Sequence, residues 1–136
     1  MAFRAYRTMV FMNEDVRKLF DAANYATVTS INPDGGPQST VVWVRTDGDD
    51  ILFSTVKGRR KPRNFARDPR ASILVVDPGN PYRYAEVRGS VVMEDDPDGE
   101  LIQELSHKYT GKAWEEKAGN ERLIVRIRPE KVTLRG

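Results

Sequence analysis

Two spacings of apolar residues alternate along this chain. Val16, Leu19, Phe20 and Ala23 recur at the interval of one helix face, behind Asn13 and with Glu14 and Asp15 in the first turn. That combination predicts a short amphipathic helix capped by Asn13. Residues 26–31 are rich in β-branched side chains and predict a strand, closed by the turn signal Asn32-Pro-Asp-Gly-Gly-Pro37. A second strand is predicted over 38–46, and Asp47-Gly48 reverses it into an apolar strand from Ile51 to Thr55. Residues 71–76 read as a strand buried on both faces. Residues 82–94 alternate, with Ala85, Val87, Gly89, Val91 and Met93 on one side. A second amphipathic helix is predicted over 96–109, with Leu101, Ile102 and Leu105 inward and Lys108 exposed. A strand over 121–128 and an extended piece over 131–134 complete the pattern.

The two hairpin signals exclude a parallel, doubly wound sheet, which would need crossover helices at those places. The pattern predicts an α+β fold: a mostly antiparallel split β-barrel of six to seven strands with two to three peripheral helices. With 136 residues and no internal boundary, residues 1–136 are read as a single domain.

Charge changes this picture at one place. Between Lys57 and Arg70 seven residues are basic and only Asp68 is acidic, a local excess of +6 in a chain whose net charge is +2. The segment follows the Ile51 strand, turns at Gly58, and opens a short helix with Pro62 in its first turn that must end near Pro69. Helical spacing puts Pro62, Phe65, Ala66 and Pro69 toward the core and Arg60, Asn64 and Arg67 on the opposite side. A helix N-terminus crowded with cations is an anion site, because free N–H groups and side-chain charge converge there. Lys57, anchored at the strand end, is read as swinging to that helix mouth.

Other features narrow the class. Without cysteine there is no disulfide framework or thiolate metal site, and no apolar run is long enough to span a membrane. The amino-terminal Met1 to Arg7 stretch has no apolar leader core, so a cytoplasmic protein without a membrane partner is expected. A nucleic-acid-binding barrel needs aromatics interleaved with cations on one sheet face. Here the cations sit on one helix, so no nucleic-acid partner is expected. The single His107 has no metal-ligand spacing around it, and Asp49-Asp50 and Asp95-Asp96 read as turn and capping residues. No catalytic side chain and no metal site are indicated. An enzyme of this composition would borrow its chemistry from an organic cofactor.

Three stretches carry a family resemblance: residues 34–43, residues 51–64, and Asp68-Pro-Arg-Ala-Ser72. With Tyr84-Ala-Glu-Val-Arg-Gly89 and Leu105-Ser-His-Lys-Tyr-Thr-Gly111, the chain resembles the flavin/deazaflavin oxidoreductases, split β-barrel proteins related to pyridoxamine 5′-phosphate oxidase. It is most similar to their short branch that uses coenzyme F420. The resemblance implies a homodimer with cofactor at the subunit interface. It implies that Gln38, Ser39, Thr40 and Val41 lie along the ring of coenzyme F420 or, as the alternative, FMN. Ser54, Thr55, Lys57, Arg60, Lys61 and Asn64 would hold the ribityl and phosphate portion, with Asp77 and Asn80 close by. The implied activity is hydride transfer to an unsaturated small molecule, with Tyr82, Tyr84 and solvent as the proton sources. An FMN-dependent oxidoreductase and a non-catalytic flavin or deazaflavin binder are the alternatives. Arg59, Arg63, Arg67 and Arg70 exceed what one FMN phosphate requires, which favours the oligoglutamate tail of F420.

Overall fold

The computed structural model describes residues 10–136; the Met1 to Arg7 stretch discussed above lies outside them. The elements in order are α1 (Glu14–Asp21), β1 (Ala26–Ile31), β2 (Pro37–Val42), β3 (Arg45–Asp47), β4 (Asp50–Val56), α2 (Arg60–Arg67), β5 (Arg70–Val76), β6 (Tyr84–Asp95), α3 (Glu100–Thr110) and β7 (Arg122–Arg135). The seven strands form one sheet in the order β2-β1-β5-β6-β7-β4-β3, antiparallel at every pairing. This is the expected split barrel, with three helices.

Alternation decides what each strand buries. Val28, Ile73, Val75, Val87, Val125, Ile127, Ile51 and Phe53 point to one interior, joined by Val16, Leu19 and Phe20 of α1 and Phe65 of α2. On the other side of β4, Leu52 lies beneath Leu101 and Leu105 of α3, beside Trp43, Tyr109 and Ile124. Strand β4 is therefore packed on both faces, and truncating Phe53 to Ala should cost about 3–5 kcal/mol.

Several local expectations are revised. The strand expected over 38–46 breaks, because Trp43 and Val44 leave the sheet. Main-chain groups of Val44 are taken by α3 instead: its N–H donates to Tyr109 Oη (3.1 Å) and its carbonyl accepts from Lys108 Nζ. Lys108 is thus not a free surface residue; it is half-buried and also donates to the Phe20 carbonyl (3.0 Å). Strand β5 is buried on one face only, with Leu74 and Val76 outward. Ala23 is exposed, beyond the end of α1. The two terminal pieces are one strand, since a bulge opposite Arg88/Gly89 absorbs Glu130, beside Pro129, without ending the β6–β7 ladder. Gly89 is required there, because a Cβ would collide with the Arg128 carbonyl.

Candidate functional site

The sheet leaves a gap at its two edges. Strand β3 pairs only with the start of β4, Asp50 to Leu52, so the remainder of β4 has no strand on that side. The outer edge of β2 is likewise unpaired. Val41 and Val42 of β2 and Ser54 and Thr55 of β4 line a pocket there of about 290 Å3. Ile102 and Leu105 of α3, the aromatic rings of Tyr25, Trp43 and Trp114, and the cations Arg59, Lys61 and Arg122 complete it. One end is flat and apolar, the other cationic.

The apolar end is built from stacked rings. Trp43 lies parallel to Tyr109 (centroids 5.5 Å, 10°) and edge-on to Trp114 (5.8 Å, 88°). Trp114 belongs to the irregular segment after α3 and is held from that helix. Gln103 Nε2 donates to its carbonyl (2.8 Å), and its N–H donates back to Gln103 Oε1 (2.9 Å). The Arg122 guanidinium lies over the Trp114 ring (5.3 Å to its centroid) and donates to Glu116 (2.6 and 3.1 Å). Those bonds hold the Glu116 carboxyl far below its usual range, to about 2.

The cationic end is the mouth of α2. Val56 runs into Gly58, whose φ of 93° is open to glycine at no steric cost, and the chain turns into Arg59. Arg59 is the N-cap and offers no side-chain acceptor, and the first turn contains no acid. Its N–H groups are left for an external partner. Lys61 is partly buried, and its pKa is lowered, first by that burial and then by Arg59. An uncompensated cation in this position is stabilised by an anion. Two buried hydroxyl oxygens lack a hydrogen-bond partner: Ser54 Oγ, which lines the pocket, and Thr40 Oγ1, on the β2 residue next to Val41. Orphaned hydroxyls, a free helix mouth and a flat apolar wall fit a ring-bearing ligand with a polar chain and a phosphate.

The structure gathers Val41, Ser54, Thr55 and Lys61 into this pocket. Lys57 is exposed just before it, with its N–H donating to the Glu121 carbonyl (2.9 Å). Gln38 and Asn64 meet on the other side of α2, where Asn64 Nδ2 donates to Ser30 Oγ (2.9 Å), Asn32 Oδ1 (3.1 Å) and Gln38 Oε1 (3.4 Å). Arg60 lies there too, donating to Asn32 Oδ1 (3.4 Å). Asn64, expected on the solvent side, is 1% exposed, whereas Ala66 and Pro69 are exposed rather than in the core. The amide finds enough partners on the β1–β2 turn to make its burial favourable. Ser39 pairs with Thr29 on the outer sheet face (2.8 Å). Asp77 and Asn80 stand in the β5–β6 loop, which Asp77 places beside α1 in a hollow with Asp15, Lys18 and Arg83, outside the pocket. Tyr82 in that loop is 85% exposed. Sequence reasoning did not assign Tyr25, Trp114 or Arg122 to the site. A tryptophan in a polar segment was the one signal available, since such a residue requires a packing partner.

The sequence pattern of the pyridoxamine 5′-phosphate oxidase family matches residues 12–136. Among solved structures, a protein described as an F420 reductase is 34% identical over 90% of this chain and 98% of its own, with a TM-score of 0.82. A conserved hypothetical protein of Mycobacterium tuberculosis is 23% identical (95% and 88% covered, TM-score 0.75). An FMN-binding protein of Nostoc punctiforme related to pyridoxamine 5′-phosphate oxidase is 15% identical (81% and 73% covered, TM-score 0.59). The last two share the fold.

Proposed function

The chain belongs to the pyridoxamine 5′-phosphate oxidase family, and from that premise we propose that it is an oxidoreductase holding coenzyme F420 in this pocket to reduce an unsaturated small molecule. The observation that carries the reading is the unsatisfied mouth of α2 opening onto a flat apolar slot. The 34% identity to an F420 reductase supports the choice of cofactor. Such a cofactor supplies a hydride from its ring when bound.

The residues divide the work by chemistry. Lys61, Arg59 and the first-turn N–H groups of α2 hold the phosphate. Ser54 and Thr40 give their unpartnered hydroxyls to the polar chain and ring edge. Val41 and Val42 present the β2 edge to the ring, and Trp43 and Trp114 exclude water from the face where substrate lies. No acid stands in the pocket, so proton delivery falls to Tyr25 or solvent.

A homodimer belongs to the same proposal. The outer rung Val41–Thr27–Leu74 carries exposed apolar side chains, Val41 being 65% exposed. Val41 also lines the pocket, so a second copy covering that rung would wall the site. Sedimentation should give a dimer at micromolar concentration; a stable monomer that still binds cofactor contradicts this part.

Titration against F420, FMN and FAD, followed by absorbance, tests the cofactor. Tightest binding is expected for F420. Tighter binding of FMN would overturn the choice of cofactor but not the pocket. Tight binding of F420 without turnover of any acceptor would make the protein a carrier.

A further inference from the structure

The cations of α2 do not converge on one point. Arg59 and Lys61 line the pocket just described. Arg60, Arg63 and Arg67 lie across the helix, where with Pro33 and Asn64 they line a separate cleft of about 210 Å3. Helical geometry requires the split, since positions 60, 63, 64 and 67 form one stripe. We infer that this cleft is a second anion site, built for a ligand with two or more closely spaced carboxylate or phosphate groups.

Three observations carry the inference. First, these arginines have no acid partner. Among the described residues, Arg17, Arg45, Arg70, Arg83, Arg88, Arg122 and Arg126 each form an ion pair with Asp or Glu; Arg60, Arg63 and Arg67 form none, nor do Arg59, Arg128 and Arg135, but only these three line one cleft together. Three like charges around one cavity repel one another until an anion enters. Second, the site is pre-organised. Arg67 Nη2 donates to the Ile31 carbonyl and to Asn64 Oδ1 (3.1 Å), and Arg60 Nη1 donates to Asn32 Oδ1 (3.4 Å). These two guanidiniums are each pinned through one group and keep other donors for a ligand, while Arg63 keeps all of its donors. Third, the buried Asn64 amide is spent on tying the helix to the β1–β2 turn, which fixes both walls of the cleft. Arg70 takes no part, since it is forked onto Asp68 (2.7–3.2 Å).

Two sources can supply such a ligand: the oligoglutamate extension of F420, which rests on the function proposed above, or a free oligoanion, which does not. Calorimetry on the full chain at low salt separates them. The probes are free tetra-γ-glutamate, coenzyme F420, and the same deazaflavin cut back to its ribityl phosphate. The variants are Arg63→Gln, whose side chain is exposed and makes no bond within the chain, and exposed Lys117→Gln as control. Tetra-γ-glutamate should bind the parent chain and lose roughly threefold to tenfold in affinity with Arg63→Gln only. An equal response of the two variants, or none, overturns the site. If F420 loses affinity with Arg63→Gln while the truncated form does not, the site takes the cofactor's extension. If both forms ignore Arg63→Gln while the peptide responds, the site takes a separate oligoanion. Failure of both coenzyme forms to bind overturns the proposed cofactor and leaves the peptide result to decide the site.

Discussion

Helix α3 begins on an acceptor from its own chain: Asp96 receives the N–H groups of Glu100 (3.1 Å) and Leu101 (3.0 Å). Helix α1 does the same with Asn13, which receives the N–H of Val16 (2.9 Å). Helix α2 begins on Arg59 and has no such acceptor. The same contrast holds for the partly buried lysines of α2 and α3, both with pKa values lowered first by burial. Lys108 donates to two main-chain carbonyls, of Phe20 and Val44, and sits over the Tyr109 ring (5.0 Å). No such acceptor is found for Lys61 among the described residues. The molecule satisfies helix ends and buried cations wherever they serve only the fold. What it leaves open is the mouth of α2, where we propose that cofactor binds.

Substitutions can break the contrast from either side. Among these helix ends and lysines, the largest effect on stability is expected at α3. Lys108→Ala leaves two carbonyls without their donor and should cost about 2 kcal/mol in denaturant unfolding. Asp96→Ala should cost about 1 kcal/mol by removing the cap of α3. At α2 the sign should reverse: Arg59→Asp supplies the missing cap and should stabilise the free protein by up to about 1 kcal/mol while weakening cofactor binding. A smaller effect concerns the loop holding Trp114. Glu116 titrates at about 2 instead of 4.5, so its bond to Arg122 stabilises the fold above that ordinary value. The contribution is lost as pH falls through the folded value of about 2. Tryptophan emission should shift to the red over that range, and Glu116→Gln should remove the transition. An unchanged profile in the variant would assign the transition elsewhere.

The strands and the cationic helix were legible because alternation and local charge are properties of neighbours in sequence. The Asn32–Pro37 and Asp47-Gly48 turns each fixed a hairpin, and the seven cations within fourteen residues stood out against a remainder that is net acidic. Contacts distant in sequence were not legible. Lys108 reads as a surface residue by its helix position, yet its ammonium reaches carbonyls 88 and 64 residues away. Asn64 reads as solvent-facing because its partners lie on another turn. The division of α2 into two cationic sides was implicit in its spacing. Only the position of the β1–β2 turn showed that both sides face a cavity.

The central claim is that Lys61, at the open mouth of α2, holds the cofactor phosphate. Its most direct test is the dissociation constant of coenzyme F420 for the parent chain, Lys61→Ala and Lys61→Arg, read by quenching of Trp43 and Trp114, both of which line the pocket. Lys61→Ala should weaken binding tenfold to a hundredfold, about 1.5–3 kcal/mol, with the unfolding midpoint unchanged or raised. Exposed Lys57→Ala should do less. Because the free-state pKa of Lys61 lies below the ordinary 10.5, affinity should hold at neutral pH and fall as pH rises through that lowered value. Lys61→Arg keeps the charge and should flatten the profile. An unchanged dissociation constant in Lys61→Ala would contradict the account.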